Sequence, residues 1–180
     1  MSGRILIQVA LALSVALLIG WAGEPDRSNG ARLTPKGAAQ RQPEQKHKGK
    51  IILLVNSYHE GYEWSDGIEK RAREVLDGTG VELRFFRMDT KRNNSVEFGK
   101  EAGLKAKAFV DELKPDVVIA ADDNVQKYLV VPFLKDTSLP VVFCGVNWDA
   151  SMYGFPCKNV TGMVEVDMIQ ELLELLRRYA

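Results

Sequence analysis

The stretch Lys50-Ile51-Ile52-Leu53-Leu54-Val55-Asn56-Ser57-Tyr58-His59-Glu60-Gly61-Tyr62-Glu63-Trp64-Ser65 decides the fold. Ile51 to Val55 is an unbroken apolar run bounded by polar residues, the pattern of a strand buried on both faces. Beyond the loop, Trp64, Ile68, Ala72, Val75 and Leu76 recur at helical spacing, and Asp77-Gly78-Thr79-Gly80 supplies residues that stop a helix. A strand buried on both faces that feeds a helix is the first half of a βαβ unit.

The unit then repeats down the chain. Val81 to Met88 reads as a second strand. Asn94 with Glu97 resembles a capping box, and Phe98, Ala102, Ala106, Phe109, Val110 and Leu113 form one face of a long helix stopped before Pro115. Asp116 to Ala120 predicts a third strand, and Asp123 with Gln126 opens a helix running to about Val130. Leu139 to Cys144 and the shorter Asn159 to Val164 predict two further strands. Asp167 with Gln170 opens a last helix, on which Met168, Leu172, Leu175, Leu176 and Tyr179 share a face. Such alternation implies an α/β domain: a mostly parallel sheet, right-handed crossovers, and helices on both faces.

Upstream the composition changes twice. Arg4, the apolar run Ile5 to Ile19 and the small residues of Gly20-Trp21-Ala22 read as an export signal. The alternative is an uncleaved anchor over residues 5–22, whose length approaches a bilayer span. No lipobox cysteine follows. Residues 23–49 hold turn formers and charge without periodicity, as a flexible linker does. The sequence therefore divides into a signal peptide or anchor (1–22), a linker (23–49), a first α/β lobe (50–165) and the start of a second lobe (166–180). The expected location is periplasmic or otherwise extracytoplasmic. From Gly23 to Lys50 there are seven Lys and Arg against three Asp and Glu; from Ile51 onward there are sixteen against twenty-one. An acidic domain without a basic stripe is a poor nucleic-acid binder, because phosphate contacts supply most of that affinity.

In open parallel sheets, ligands sit beyond the carboxyl ends of the strands. That rule selects the loops 56–64, 121–124 and 145–149, all rich in polar and aromatic groups. Ser57 and Tyr58 stand at the first strand's end. Trp64 either reaches a ligand or packs inward, and Ser65 either joins it or caps the helix. Asp122, Asp123 and Asn124 follow the third strand, where a carboxylate would accept from a ligand ammonium and Asn124 would bond a ligand carboxylate; a simple N-cap at Asp123 is the plainer account. Asn147 lies in the third loop beside Trp148, which is either a stacking wall or a hinge-packing residue.

The pieces 56–65, 120–130 and 140–149, in that order, resemble the substrate-binding components of bacterial ABC transporters of the aromatic-amino-acid-binding type, which themselves resemble type I periplasmic binding proteins. The resemblance runs from about Gly49 to the C-terminus. It implies two α/β lobes closing on a small solute, here amino-acid-like, with Ser57, Tyr58, Asp122, Asp123, Asn124 and Asn147 lining the first lobe's wall of the cleft. It implies an ABC permease as partner, or else a membrane signalling module that uses such a domain as its sensory input. In that family a strand like 159–164 crosses to the second lobe and a helix like 167–179 begins it; the remainder of that lobe lies outside these 180 residues, so a clamshell would have one wall here and the chain reads as a fragment or truncated product.

Enzyme signatures are missing: no GxxxxGK, no GxGxxG after the first strand, no GxSxG. A phosphoacceptor receiver would carry its acidic pair after the first strand, not the third. His59, Glu60 and the Asp122-Asp123 pair lack metal-ligand spacing. The expectation is a binding domain that needs no cofactor. Cys144 and Cys157 either pair or remain thiols, Cys144 then serving as a small buried hydrophobe.

Overall fold

The computed structural model describes residues 47–179; the expected signal segment and the linker up to residue 46 lie outside them. The elements are β1 (Ile51–Asn56), α1 (Glu63–Leu76), β2 (Glu82–Arg87), α2 (Val96–Leu113) and β3 (Val117–Ala121). Then comes α3, an α-helical turn Asp123–Val125 running directly into π-wound Gln126–Leu134. β4 (Val141–Asn147), a 3-10 turn Ala150–Tyr153, β5 (Val160–Glu165) and α4 (Ile169–Tyr179) complete the order. All four strand pairings are parallel, in the order β2-β1-β3-β4-β5.

Successive strand residues point to opposite faces, so each central strand feeds two cores. Leu53, Val55, Val118 and Ala120 pack with Ala102, Ala106 and Val110 of α2 and Leu129 and Val130 of α3. Ile52, Leu54, Val117 and Ile119 pack with Ile68 and Ala72 of α1 on the other side. The α/β architecture with helices on both faces is thus present as read from the sequence.

Four local expectations are corrected. The cap of α2 is Ser95, not Asn94; its Oγ accepts from the Phe98 amide at 3.1 Å. The cap of α3 is Asp122 and not Asp123, with the Asn124 amide donating to Asp122 Oδ1 at 3.4 Å. α3 passes Val130 and continues through Pro132 to Leu134. Its π winding, seen where the Lys135 amide donates to Val130 O at 2.7 Å, widens the turn around a proline ring that would clash in an α-helix. β4 starts two residues late and runs on to Asn147, because a bulge between Phe143 and Val146, with Gly145 at φ +65°, lets pairing resume beyond it.

Asn159, 8% exposed, ties the α3–β4 connection to β5. Its Nδ2 donates to Leu134 O at 2.8 Å and Leu139 O at 2.6 Å, while its Oδ1 accepts from the Asp136 amide at 2.8 Å. Asn159→Ala leaves these groups without partners, and a loss of about 3 kcal/mol is expected in chemical denaturation; a loss below about 1 kcal/mol would show that water replaces the amide.

Residues 166–179 bury no side chain, and Leu172, Leu175, Leu176 and Tyr179 of α4 are all open to solvent. No helix among the described residues is long and apolar enough to cross a membrane. Cys144 and Cys157 are free thiols; burial pushes the Cys144 thiol up to about 12.

Candidate functional site

The strand order places the functional end of the sheet. β1 connects outward to β2, and the chain then crosses back over β1 to form β3. The loops after β1 and β3 therefore diverge, and an open parallel sheet of this order binds ligands in the crevice between them.

Two buried hydroxyls, those of Ser57 and Thr90, fasten the loops there. Ser57, fully buried, donates through Oγ to Ala121 O at 3.0 Å and accepts from the Val125 amide at 3.1 Å. Its carbonyl accepts from both the amide (2.9 Å) and the Oγ1 (2.7 Å) of Thr90, and Thr90 Oγ1 in turn accepts from Asn124 Nδ2 at 2.9 Å. Three strand ends are thereby joined through three small side chains, those of Ser57, Thr90 and Asn124. Ser57 and Asn124 hold the loops by these bonds, and Ser57 has no surface left for a solute.

Asp123 and Asn147 are bonded to each other. Asn147 Nδ2 donates to Asp123 Oδ2 at 2.6 Å, and the Tyr153 hydroxyl donates to Asp123 Oδ1 at 2.9 Å. This carboxylate draws the end of β4 and the following turn against the β3 loop. Burial and Asp123 together raise the Tyr153 phenol well above its ordinary range.

Tyr58, Trp64 and Asp122 converge. The Trp64 ring lies directly on Gly145, where an added Cβ would meet Trp64 Cη2 and Cζ2 at 2.5 Å. Tyr58 meets Trp64 edge-on at 5.9 Å between ring centroids and Tyr62 at 5.1 Å. Trp64 thus packs against the core and supports Tyr58 at once. The Tyr58 hydroxyl faces the Asp122 carboxylate; burial first, and then Asp122, raise the phenol far above its usual range. Asp122 is 7% exposed. Burial raises its own carboxyl above the ordinary value, the nearby Asp123 charge adds to this, and the bond from Tyr58 opposes it.

The backbone is strained at the same place. Asp122 sits at φ +77°, ψ 166°, a region essentially reserved for glycine and costing roughly 1–3 kcal/mol. Trp148, with its indole 57% exposed, stands at φ +63°. Its amide donates to Glu165 O at 2.8 Å, so the side chain is held out at the rim.

Sequence reasoning passed over the β2 loop, which contributes Thr90, Lys91 and the Asp89–Arg92 pair. Applying the strand-end rule to β2 as well, with its dense Asp89-Thr90-Lys91-Arg92, would have found them. Tyr153 carried no such signal, because a 3-10 turn placed it there. Away from this end, an open groove of about 420 Å³ lies between Val110, Lys114, Pro115, Leu139 and Pro140. It lies at the amino ends of β3 and β4, the wrong end of a parallel sheet for a ligand site. Among the described residues no group of three His, Cys, Asp or Glu side chains could hold a metal ion.

No protein-family model and no curated protein matches the chain. Among solved structures it is similar to the ligand-free, open structure of CD0873, a substrate binding protein with adhesive properties from Clostridium difficile, at 19% identity and a TM-score of 0.49. The likeness covers 73% of this chain and 43% of that one, so this chain spans less than half the length of that protein. At this identity the likeness assigns no role to any residue.

Proposed function

We propose that this chain is the solute-binding lobe of an extracytoplasmic binding protein, taking a small amine-bearing solute of the amino-acid kind and delivering it to an ABC permease without chemical conversion. The observation that carries this reading is Asp122. Its carboxylate is nearly fully buried, destabilised by its surroundings and set on a glycine-only backbone, and the cap bond it accepts, from the Asn124 amide at 3.4 Å, is a long one; strain of this kind collects at functional sites. It stands at the crossing of β1 and β3, beside the Tyr58, Tyr62 and Trp64 rings. A ligand ammonium there would restore the charge balance of Asp122. The apolar segment before the linker supports export.

Calorimetric titration of the twenty L-amino acids into the purified chain tests this. At least one should bind with a Kd in or below the millimolar range, which corresponds to about 4 kcal/mol or more. Failure of all twenty, with small amines equally inert, would overturn the reading. Delivery is tested apart from binding: the loaded protein should stimulate ATP hydrolysis by its permease complex.

A further inference from the structure

We infer that Lys91 is the carboxylate-reading residue of this site, so that the solute is a zwitterion held by its ammonium at Asp122 and by its carboxylate at Lys91; the inference rests on the solute-binding reading above. Lys91 Nζ lies 5.1 Å from the centroid of the Tyr58 ring and 5.2 Å from that of Tyr62. Among the described residues Lys91 has no carboxylate partner.

The lack of a partner is notable in so acidic a neighbourhood. The nearest carboxylate in sequence, Asp89, is taken by Arg92, whose Nε and Nη2 each donate to it at 2.7 Å, and His59 Nδ1 stands 3.6 Å away. Glu60 faces Arg87 at 3.6 Å, and Arg87 is in turn gripped by buried Glu69. Asp66 accepts from the Gly61 amide at 3.0 Å. Every one of these acids is engaged elsewhere, and among the described residues Lys91 pairs with none of them.

That cation is also positioned. Its neighbour Thr90, 3% exposed, is bonded to the β1 loop and to Asn124 of the β3 loop, so the backbone of Lys91 is fixed while its ammonium stays exposed. Tyr58 then connects the two poles, its hydroxyl on Asp122 and its ring face under Lys91. A negative group and a positive group thus both border the Tyr58 ring, and an α-amino acid carries the two opposite charges. A plain amine would satisfy the first and be repelled by the second.

The experiment compares each amino acid that binds with its decarboxylated amine, phenethylamine for phenylalanine and so on, in the wild-type chain, Lys91→Gln and Lys91→Arg. The wild type should prefer the amino acid by roughly tenfold or more, as a charge-assisted contact provides. Lys91→Gln should remove that preference, weakening the amino acid while leaving the amine unchanged or tighter, and Lys91→Arg should keep it. A preference that survives Lys91→Gln overturns the inference while leaving the solute-binding reading intact. So does a wild type that binds amine and amino acid equally. Absence of binding by either class overturns both.

Discussion

Replacing Gly103 with alanine should lower the stability of the domain by about 3 kcal/mol or more and its melting temperature by roughly 10 °C. Gly99 and Gly103, one turn apart on α2, let Tyr128 of α3 lie against the helix backbone. A Cβ at Gly103 would stand 2.1 Å from the Tyr128 carbonyl oxygen, and one at Gly99 would stand 2.4 Å from the Tyr128 ring. A ring can rotate away, but a backbone carbonyl moves only with its helix. The same substitution at Gly67, on the open side of α1 with nothing within 4 Å of an added Cβ, is the matched control. There alanine should stabilise by about 0.5–1 kcal/mol through helix propensity alone. Thermal melts of the two variants side by side decide the matter; equal shifts in one direction would show that the α2–α3 contact is not as close as described. Because α3 starts at Asp123 and is capped by Asp122, tilting it also displaces the candidate site, so Gly103→Ala should lose solute affinity along with stability.

The fold was legible because burial on both faces leaves a signature no other element shares. Ile51 to Val55 and Val117 to Ala120 are apolar without alternation, and both lie in central strands. The helix stop after Leu76 likewise lies where Asp77-Gly78 put it. What the sequence did not show depends on contacts between distant segments. The bulge at Gly145 follows from the Trp64 ring lying on it, a contact 81 positions apart in the chain that no local pattern encodes. The π winding through Pro132 is likewise a tertiary outcome, since local rules end a helix before proline. At the site, the strand-end rule located Tyr58, Trp64 and Asp122 together. It could not tell which of the polar residues would be used up internally. Ser57 and Asn124 make bonds that fasten the loops, and Asp123 and Asn147 bond each other. Short polar side chains at strand ends serve both purposes, and only distances separate them. Lys91 was missed for the reverse reason: a lysine in a charged loop looks solvated until its neighbours' acids are seen to be occupied.

Asp122→Gly should stabilise the protein by about 1–2 kcal/mol while abolishing solute binding. Glycine adopts φ +77° without the strain that aspartate bears, which offsets its greater freedom in the unfolded chain. The substitution also removes a buried carboxylate whose ionisation the surroundings oppose. Asp122→Asn separates the two contributions, since it keeps the strain and the hydrogen-bonding shape but removes the charge; it should fall between wild type and glycine in stability and still fail to bind. The pH dependence supplies a second readout. The folded-state pKa of Asp122 is raised above the ordinary aspartate value of 3.8, so the folded protein takes up this proton before the unfolded chain does. Its contribution to stability therefore grows as pH falls through the raised pKa, is complete below 3.8, and is lost as pH rises. Solute affinity should run the opposite way, falling as pH drops through the same window, because a protonated carboxyl no longer pairs with an ammonium. Asp89, Glu101, Asp116 and Asp149 have lowered pKa values and lose their contribution as pH falls. The Asp122 slope is therefore read as the difference between the wild-type and Asp122→Asn melting curves, while titrations on wild type alone should show affinity falling as pH drops. A glycine variant that is less stable than wild type, or that binds amino acids undiminished, would mean that Asp122 is a structural residue and that the solute lies elsewhere.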